Sequence, residues 1–275
     1  MNLLNEYILQ EIEIRIIHPL LEKSYDSSLN WISKIQSELY QNIPDRKRIS
    51  YGRFYTIKVL SRHIFSRLTD LNAPAFDIST KLFEKSSDYI TRGVALGILS
   101  FCGLENFERV LPYFKTAATA DHWETRESAA AFFSKLIKKY PEKAQQYFLR
   151  LVKSDNPNLR RFASESLRPV SENRCLYNNP DYTLSVLKHL FRESAPYPRT
   201  SVGNNLSDLA RRYPEMVYGL VKKLVDSGNK DSYWIAYRAC RNLVKQEPIR
   251  VMDILKVDEY KYKQRVHRRR DYQRN

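Results

Sequence analysis

Four short constellations hold the residue types that could do chemistry. In DHWETRESAAAFF, Trp123, Arg126 and Glu127 fall within one helical turn, since residues three and four apart share a helix face. NPNLRRFASESLRP brings Arg160, Arg161, Glu165 and Arg168 together. PRTSVGNNLSDLARRY opens with Arg199 and sets Asn205 three residues before Asp208. YWIAYRACRNLVK spaces Trp234, Arg238 and Arg241 by four and three. Arginines placed in this way hold phosphates or pair with carboxylates, and spacing alone leaves both open. Arg160 and Arg161 sharpen the choice. Asp155-Asn156-Pro157 is a helix start, with an Asn cap and a first-turn proline. Cations in a first turn face the positive end of the helix dipole, at a cost of about 0.3–1 kcal/mol. They need a carboxylate from a neighbouring helix or a phosphate from outside, and Arg161 and Glu165, four apart, are also spaced to pair.

Many standard chemistries are absent. The chain has no GxxxxGK phosphate loop, no GxGxxG, no HExxH and no GxSxG. The five histidines, His18, His63, His122, His189 and His267, have no metal-ligand spacing, so neither a metal nor an organic cofactor is expected. The net charge of +15 points to a polyanionic partner. Residues 1–44 hold six acids against three bases, a net of −3, which leaves +18 for the remainder. Three scattered cysteines, Cys102, Cys175 and Cys240, with no CxxC, fit a reducing compartment. No run of 18 apolar residues occurs, and MNLLNEYILQEIEIR lacks the basic start and cleavage site of a signal peptide. The expectation is a cytoplasmic monomer without a membrane partner.

The elements that must position these residues are helices. Apolar residues recur at helical spacing, and Pro, Asn or Asp clusters divide them. Helices are predicted near 3–17, 28–42, 51–69, 75–86, 88–101, 104–118, 122–140, 141–154, 157–168, 180–193, 198–213, 214–227, 230–246 and 248–259. They pair, and the pairs repeat. An Arg-x-x-small signature recurs as Arg92/Ala95, Arg126/Ala129, Arg160/Ala163 and Arg199/Val202, with a fifth copy, Ala236/Ala239, that lacks the arginine. A period of about 34–40 residues with two helices per unit predicts an all-α superhelix, a HEAT-like solenoid forming one domain over 1–260. The repeated arginines then line one edge of the stack, its concave basic face. VSENRCLYNN at 170–179 breaks the period and reads as a loop. KYKQRVHRRRDYQRN at 261–275 carries seven Lys or Arg and no apolar stripe, so a flexible basic tail is expected there.

Three ordered segments resemble the AlkC and AlkD superfamily of HEAT-like DNA alkylation repair proteins, and the AlkC branch most of all. They are NPNLRRFASESLRP at 156–169, RTSVGNNLSDLARRYPEMV at 199–217 and YWIAYRACRNLVK at 233–245. The resemblance covers about residues 88–256. It implies an α-solenoid that grips duplex DNA, alkylated DNA above all, and a DNA glycosylase that releases cationic N-alkylated purines such as 3-methyladenine. The alternative it implies is a non-catalytic module that binds damaged or branched DNA. Under the resemblance, Glu127, Glu165 and Asp208 are the carboxylate candidates for catalysis. Trp123 and Trp234 are the aromatic candidates. Arg92, Arg126, Arg160, Arg161, Arg168, Arg199, Asn205, Arg238 and Arg241 are the DNA-binding candidates. The chain departs from the branch at Thr200, where a second arginine is usual, at Gly203, where the branch has alanine, at Arg238, where it has histidine, and in the tryptophan-free loop 170–179.

Overall fold

A computed structural model describes residues 3–272. The chain forms two compact units, Met1–Pro141 and Glu142–Asn275, a boundary that falls inside the stretch read as a single solenoid. Both units are built from paired helices, as the repeat predicts.

The first unit holds α1 (Glu6–Ile12), a π-helical turn Glu13–Ile17, α2 (His18–Leu21), α3 (Tyr25–Gln41), α4 (Asp45–Arg48), α5 (Arg53–Asp70), α6 (Ala75–Lys85), α7 (Tyr89–Cys102), α8 (Phe107–Ala118), α9 (Trp123–Phe132) and α10 (Ser134–Lys139). Its centre is α7, buried from Ile90 to Ser100 except at Arg92 and packed against α5, α6 and α9. Asp88 caps α7 by accepting the Thr91 N–H, and the same carboxylate accepts the Ser33 hydroxyl of α3 at 2.5 Å. Gly97 is required by packing. A Cβ there would overlap the Ser61 side chain on α5 and approach Phe132 on α9 to 3.1 Å. The predicted helix 122–140 divides at Phe133 into α9 and α10.

The second unit holds α11 (Pro141–Leu151), α12 (Pro157–Ser166), α13 (Pro180–Leu187), α14 (Pro196–Leu209), α15 (Pro214–Asp226), α16 (Lys230–Ala239) and α17 (Pro248–Leu255). Six of these begin with proline at the first helical position after a non-helical residue. The helices α12, α14 and α16 stack in turn, and the small residues of the repeat signature, Ala163, Val202, Ala236 and Ala239, are buried between them. Asn156 and Asn229 cap α12 and α16 with their side chains.

Two stretches differ from expectation. The loop 170–179 contains a 3-10 segment, Ser171–Asn178, kinked at Asn173, whose side-chain amide donates to the Ser166 carbonyl. A three-residue period leaves no amphipathic trace at helical spacing. The expected tail is ordered through residue 272 and forms a hairpin of β1 (Glu259–Tyr262) and β2 (Arg265–Arg268), while 273–275 lie outside the described residues. The hairpin is anchored by Tyr260, which is fully buried, stacks on Tyr237 of α16 at 4.5 Å and donates its hydroxyl to the Tyr237 carbonyl at 2.9 Å. Tyr237 in turn donates to the Lys261 carbonyl and accepts its N–H.

Burial raises the Cys102 thiol to about 11 and that of Cys240 to about 12, whereas Cys175 in the 3-10 segment is exposed. No helix among the described residues is long and apolar enough to cross a membrane.

Replacing Gly97 by alanine is expected to destabilise the first unit by about 1–3 kcal/mol, the usual cost of overpacking, read as a lower urea midpoint.

Candidate functional site

In the first unit, the first turns of α5, α7 and α9 converge on a recess of about 460 Å³. Arg53, Phe54, Tyr89, Trp123, Glu127 and Ser128 are among the residues that line it. Arg53 donates to the Tyr89 hydroxyl at 3.1 Å. Trp123, the first residue of α9, is 58% exposed, although a tryptophan is ordinarily among the more buried residues. Glu127 follows one turn later and is half-buried. A carboxylate and an open aromatic face at one concave site suit a cation or a centre of developing positive charge. Arg53 and Tyr89 do not stand out in the sequence. They lie 36 residues apart on different helices, and no local pattern joins them.

The repeated arginines have a different task. Arg92 donates to the Ser86 carbonyl at 2.6 Å, Arg126 to the Ala120 and Asp121 carbonyls, and Arg160 to the Ser154 and Asp155 carbonyls. In each case the guanidinium reaches back five or six residues and ties down the loop that enters its own helix. Arg160 also grips buried Glu193 through two bonds of 2.6 and 2.9 Å. Arg199 pairs with Asp231 of the next repeat. The partner sought for Arg160 is thus a carboxylate of the protein, and the repeat signature encodes ties within and between repeats.

Deeper in the second unit, two carboxylates organise the stacked helices. Asp208 of α14 is 1% exposed. Its Oδ2 accepts Arg168 Nη2 at 2.7 Å and Nε at 3.0 Å, and its Oδ1 accepts Arg241 Nη2 at 3.0 Å. Glu165 of α12 accepts Arg168 Nη1 at 2.7 Å and the Ser201 hydroxyl at 2.5 Å, with Arg161 at 3.6 Å. Arg161 is buried and lies over the Tyr197 ring at 4.4 Å. Burial alone would raise the Glu165 carboxyl. The charges of Arg168 and Arg161 and the bonds from Ser201 and Arg168 overcome this and hold it below the usual range. Asn205 is fully buried and donates to the Ser164 carbonyl, so it joins α14 to α12. Glu165, Asp208, Arg161 and Arg168 therefore form one network within the second unit.

Trp234 has cations near its ring, Arg199 at 4.7 Å and Arg238 at 5.5 Å. Arg238 and Arg241 both donate to Asn204 Oδ1 at 2.8 Å. Two of the departures from the AlkC branch are physically one. A Cβ on Gly203 would meet the Arg238 Cβ at 2.9 Å and its Cγ and Cδ at 3.1 Å. The glycine makes room for the arginine. Among the described residues no group of His, Cys, Asp and Glu could hold a metal ion.

A family model described as DNA alkylation repair enzyme matches residues 56–244. An uncharacterized Bacillus subtilis (strain 168) protein, YhaZ, is 26% identical over 255 residues, covering 88% of this chain and 65% of that protein. The chain thus spans about two thirds of the length of this curated relative. AlkD2 from Streptococcus mutans has a similar structure, with a TM-score of 0.57 at 20% identity, over 77% of this chain and 97% of that one. The Pseudomonas fluorescens alkylpurine DNA glycosylase AlkC, solved bound to DNA containing an abasic site analog, matches with a TM-score of 0.57 at 21% identity, over 84% of this chain and 66% of that one. These likenesses show the helical-repeat fold.

Two outcomes are expected. Arg160→Ala leaves Glu193 buried without its cation and lowers unfolding stability by on the order of 3 kcal/mol, measured by denaturant titration. Glu165 has a folded-state pKa below its unfolded value. Its stabilisation is therefore complete above the ordinary glutamate value of about 4.3 and is lost as pH falls below it through the folded value. Across that acidic range, Glu165→Gln should show a shallower loss of stability with pH than the parent protein.

Proposed function

The chain belongs to the DNA alkylation repair enzyme family, and we propose that it is a DNA glycosylase that excises cationic N-alkylated purines from duplex DNA. The observation that carries this reading is the recess in the first unit, where exposed Trp123 and Glu127 stand together on one turn of α9. An alkylpurine of this kind already bears a positive charge. As the bond between its nitrogen and C1′ of the sugar breaks, the base takes the electron pair and departs neutral, so no acid need protonate it. Charge then develops on the sugar. The Glu127 carboxylate and the Trp123 ring face stabilise that charge, and water adds at C1′ with its proton passing to the carboxylate. The hydrogen-bonded Arg53 and Tyr89 pair, which also lines the recess, supplies donors for a phosphate flanking the lesion.

A second reading, a non-catalytic DNA-binding module, is favoured by the second unit. There Glu165 and Asp208 are held by arginines and the Trp234 ring is attended by Arg199 and Arg238. One experiment separates the two. Methylated duplex DNA is incubated with the protein, and released bases are identified by mass spectrometry. The glycosylase reading expects alkylpurine release above the protein-free control, and a fall of about 100-fold or more in single-turnover rate for Glu127→Gln with DNA affinity retained. Tight binding with no release gives the second reading. Release that Glu127→Gln leaves unchanged removes Glu127 from the chemistry.

A further inference from the structure

The strongest feature that the proposed reaction does not use lies at the C-terminal hairpin. Between the hairpin and the residues that follow α14 and α16 runs a groove of about 710 Å³. Its walls carry Arg211, Arg241 and Lys245 on one side and Tyr262, Lys263 and Arg265 on the other. None of its lining residues is Asp or Glu. At roughly 30 Å³ per water, this volume corresponds to more than twenty waters, a channel for a run of backbone and not a pocket for one ion.

Three observations say that the groove is built. Its hairpin wall is fixed: Tyr260 is buried against Tyr237, Arg268 pairs with Glu259 across the strands at 2.9 Å, and Arg269 binds Asp253 at 2.5 Å. The strands are joined by the two residues Lys263-Gln264, and Lys263 sits at φ +55°, a conformation that glycine adopts most easily. A lysine in that position gives up local backbone stability and places a cation at the hairpin tip. The interior also reads as electropositive. Burial lowers the Arg238 guanidinium; Tyr262 and Tyr260 oppose this, while the charges of Arg241 and Arg168 add to it. Burial would raise the Tyr262 hydroxyl, yet the hydrogen bond and charge of Arg241, with Arg238 and Lys263, bring it below the ordinary tyrosine value. Arg168 and Arg241 are already met by the Asp208 carboxylate, so the cations that would attract an anion are those at the rim, Lys263, Arg265, Lys245 and Arg211, the last 3.8 Å from Asp208.

We propose that this groove is a phosphodiester-binding site, in which Lys263 and Arg265 from the hairpin and Arg211 and Lys245 from the facing wall grip consecutive phosphates of a DNA strand. The proposal rests on the reading that the chain binds DNA, and is independent of whether it releases a base. The salt dependence of binding is its readout, because each phosphate neutralised contributes about −0.9 to the slope of log K against log salt.

The test measures binding of a fluorescein-labelled, unmodified DNA duplex by anisotropy across a salt series. Four proteins are compared: the parent, K263Q/R265Q, R211Q/K245Q, and K222Q/K223Q, the last carrying two exposed cations of α15 outside the groove. All altered side chains are exposed, and circular dichroism verifies their folds. Each groove variant should reduce the slope magnitude by about 2 relative to the parent, with the control pair nearer the parent value. Parent-like slopes in both groove variants overturn the proposal while leaving DNA binding in place. A parent protein that fails to bind the duplex overturns the DNA reading itself. In a parallel arm, inorganic phosphate alone is titrated while melting temperature is followed. Saturable stabilisation lost in K263Q/R265Q, together with unchanged DNA slopes, would identify a free-phosphate site and also overturn the proposal.

Discussion

A guanidinium taken out of water must be met by a carboxylate, and the second unit is arranged around that requirement. Asp208, at 1% exposure, receives Arg168 from the end of α12 and Arg241 from beyond α16 while itself belonging to α14. One side chain thus fixes the register of three successive helices. Removing a partner from such a group costs far more than the intact pair contributes over an apolar replacement. The network accordingly acts less as a source of stability than as a constraint on geometry. Glu193 with Arg160 and Asp231 with Arg199 repeat the arrangement nearer the surface, one repeat apart.

The same constraint changes what the charge of the chain means. An arginine that ties a loop or neutralises a buried carboxylate contributes little to the field felt by a passing polyanion. Arg92, Arg126 and Arg160 form the most regular series in the sequence, and they are spent on their own loops. Lys263 and Arg265, on the hairpin, belong to no repeat, and with Arg211 and Lys245 they line the groove described above.

Much of the fold is legible in the sequence because helices announce themselves by period and by caps. Asn156-Pro157, Asn229 and Asp88 all mark starts that the structure keeps. The small residues at 95, 129, 163 and 202 lie in the packed interior as the repeat implies. What the sequence conceals is partnership across long separations. Nothing local pairs Arg53 with Tyr89, Arg160 with Glu193, or Gly203 with Arg238, and each of those pairs decides a role. The hairpin is hidden for another reason. Its strands are four residues long, and its only signals are Tyr260 and Tyr262 two residues apart and a single Val266 between basic residues. Counting charge there reads a tail, whereas one buried ring is enough to dock it.

The three cysteines differ chemically, and Cys175 is the one that stands in solvent. At neutral pH the reactive species is the thiolate, and burial raises the thiols of half-buried Cys102 and buried Cys240, which disfavours it. Cys175 alone stands in solvent, on the 3-10 segment two residues from Asn173, which is bonded to the end of α12. A maleimide dye or spin label added to the unaltered chain would attach there without any engineered site. It would sit beside the Arg168 end of the network, where a shift of α12 would register as a change in its spectrum.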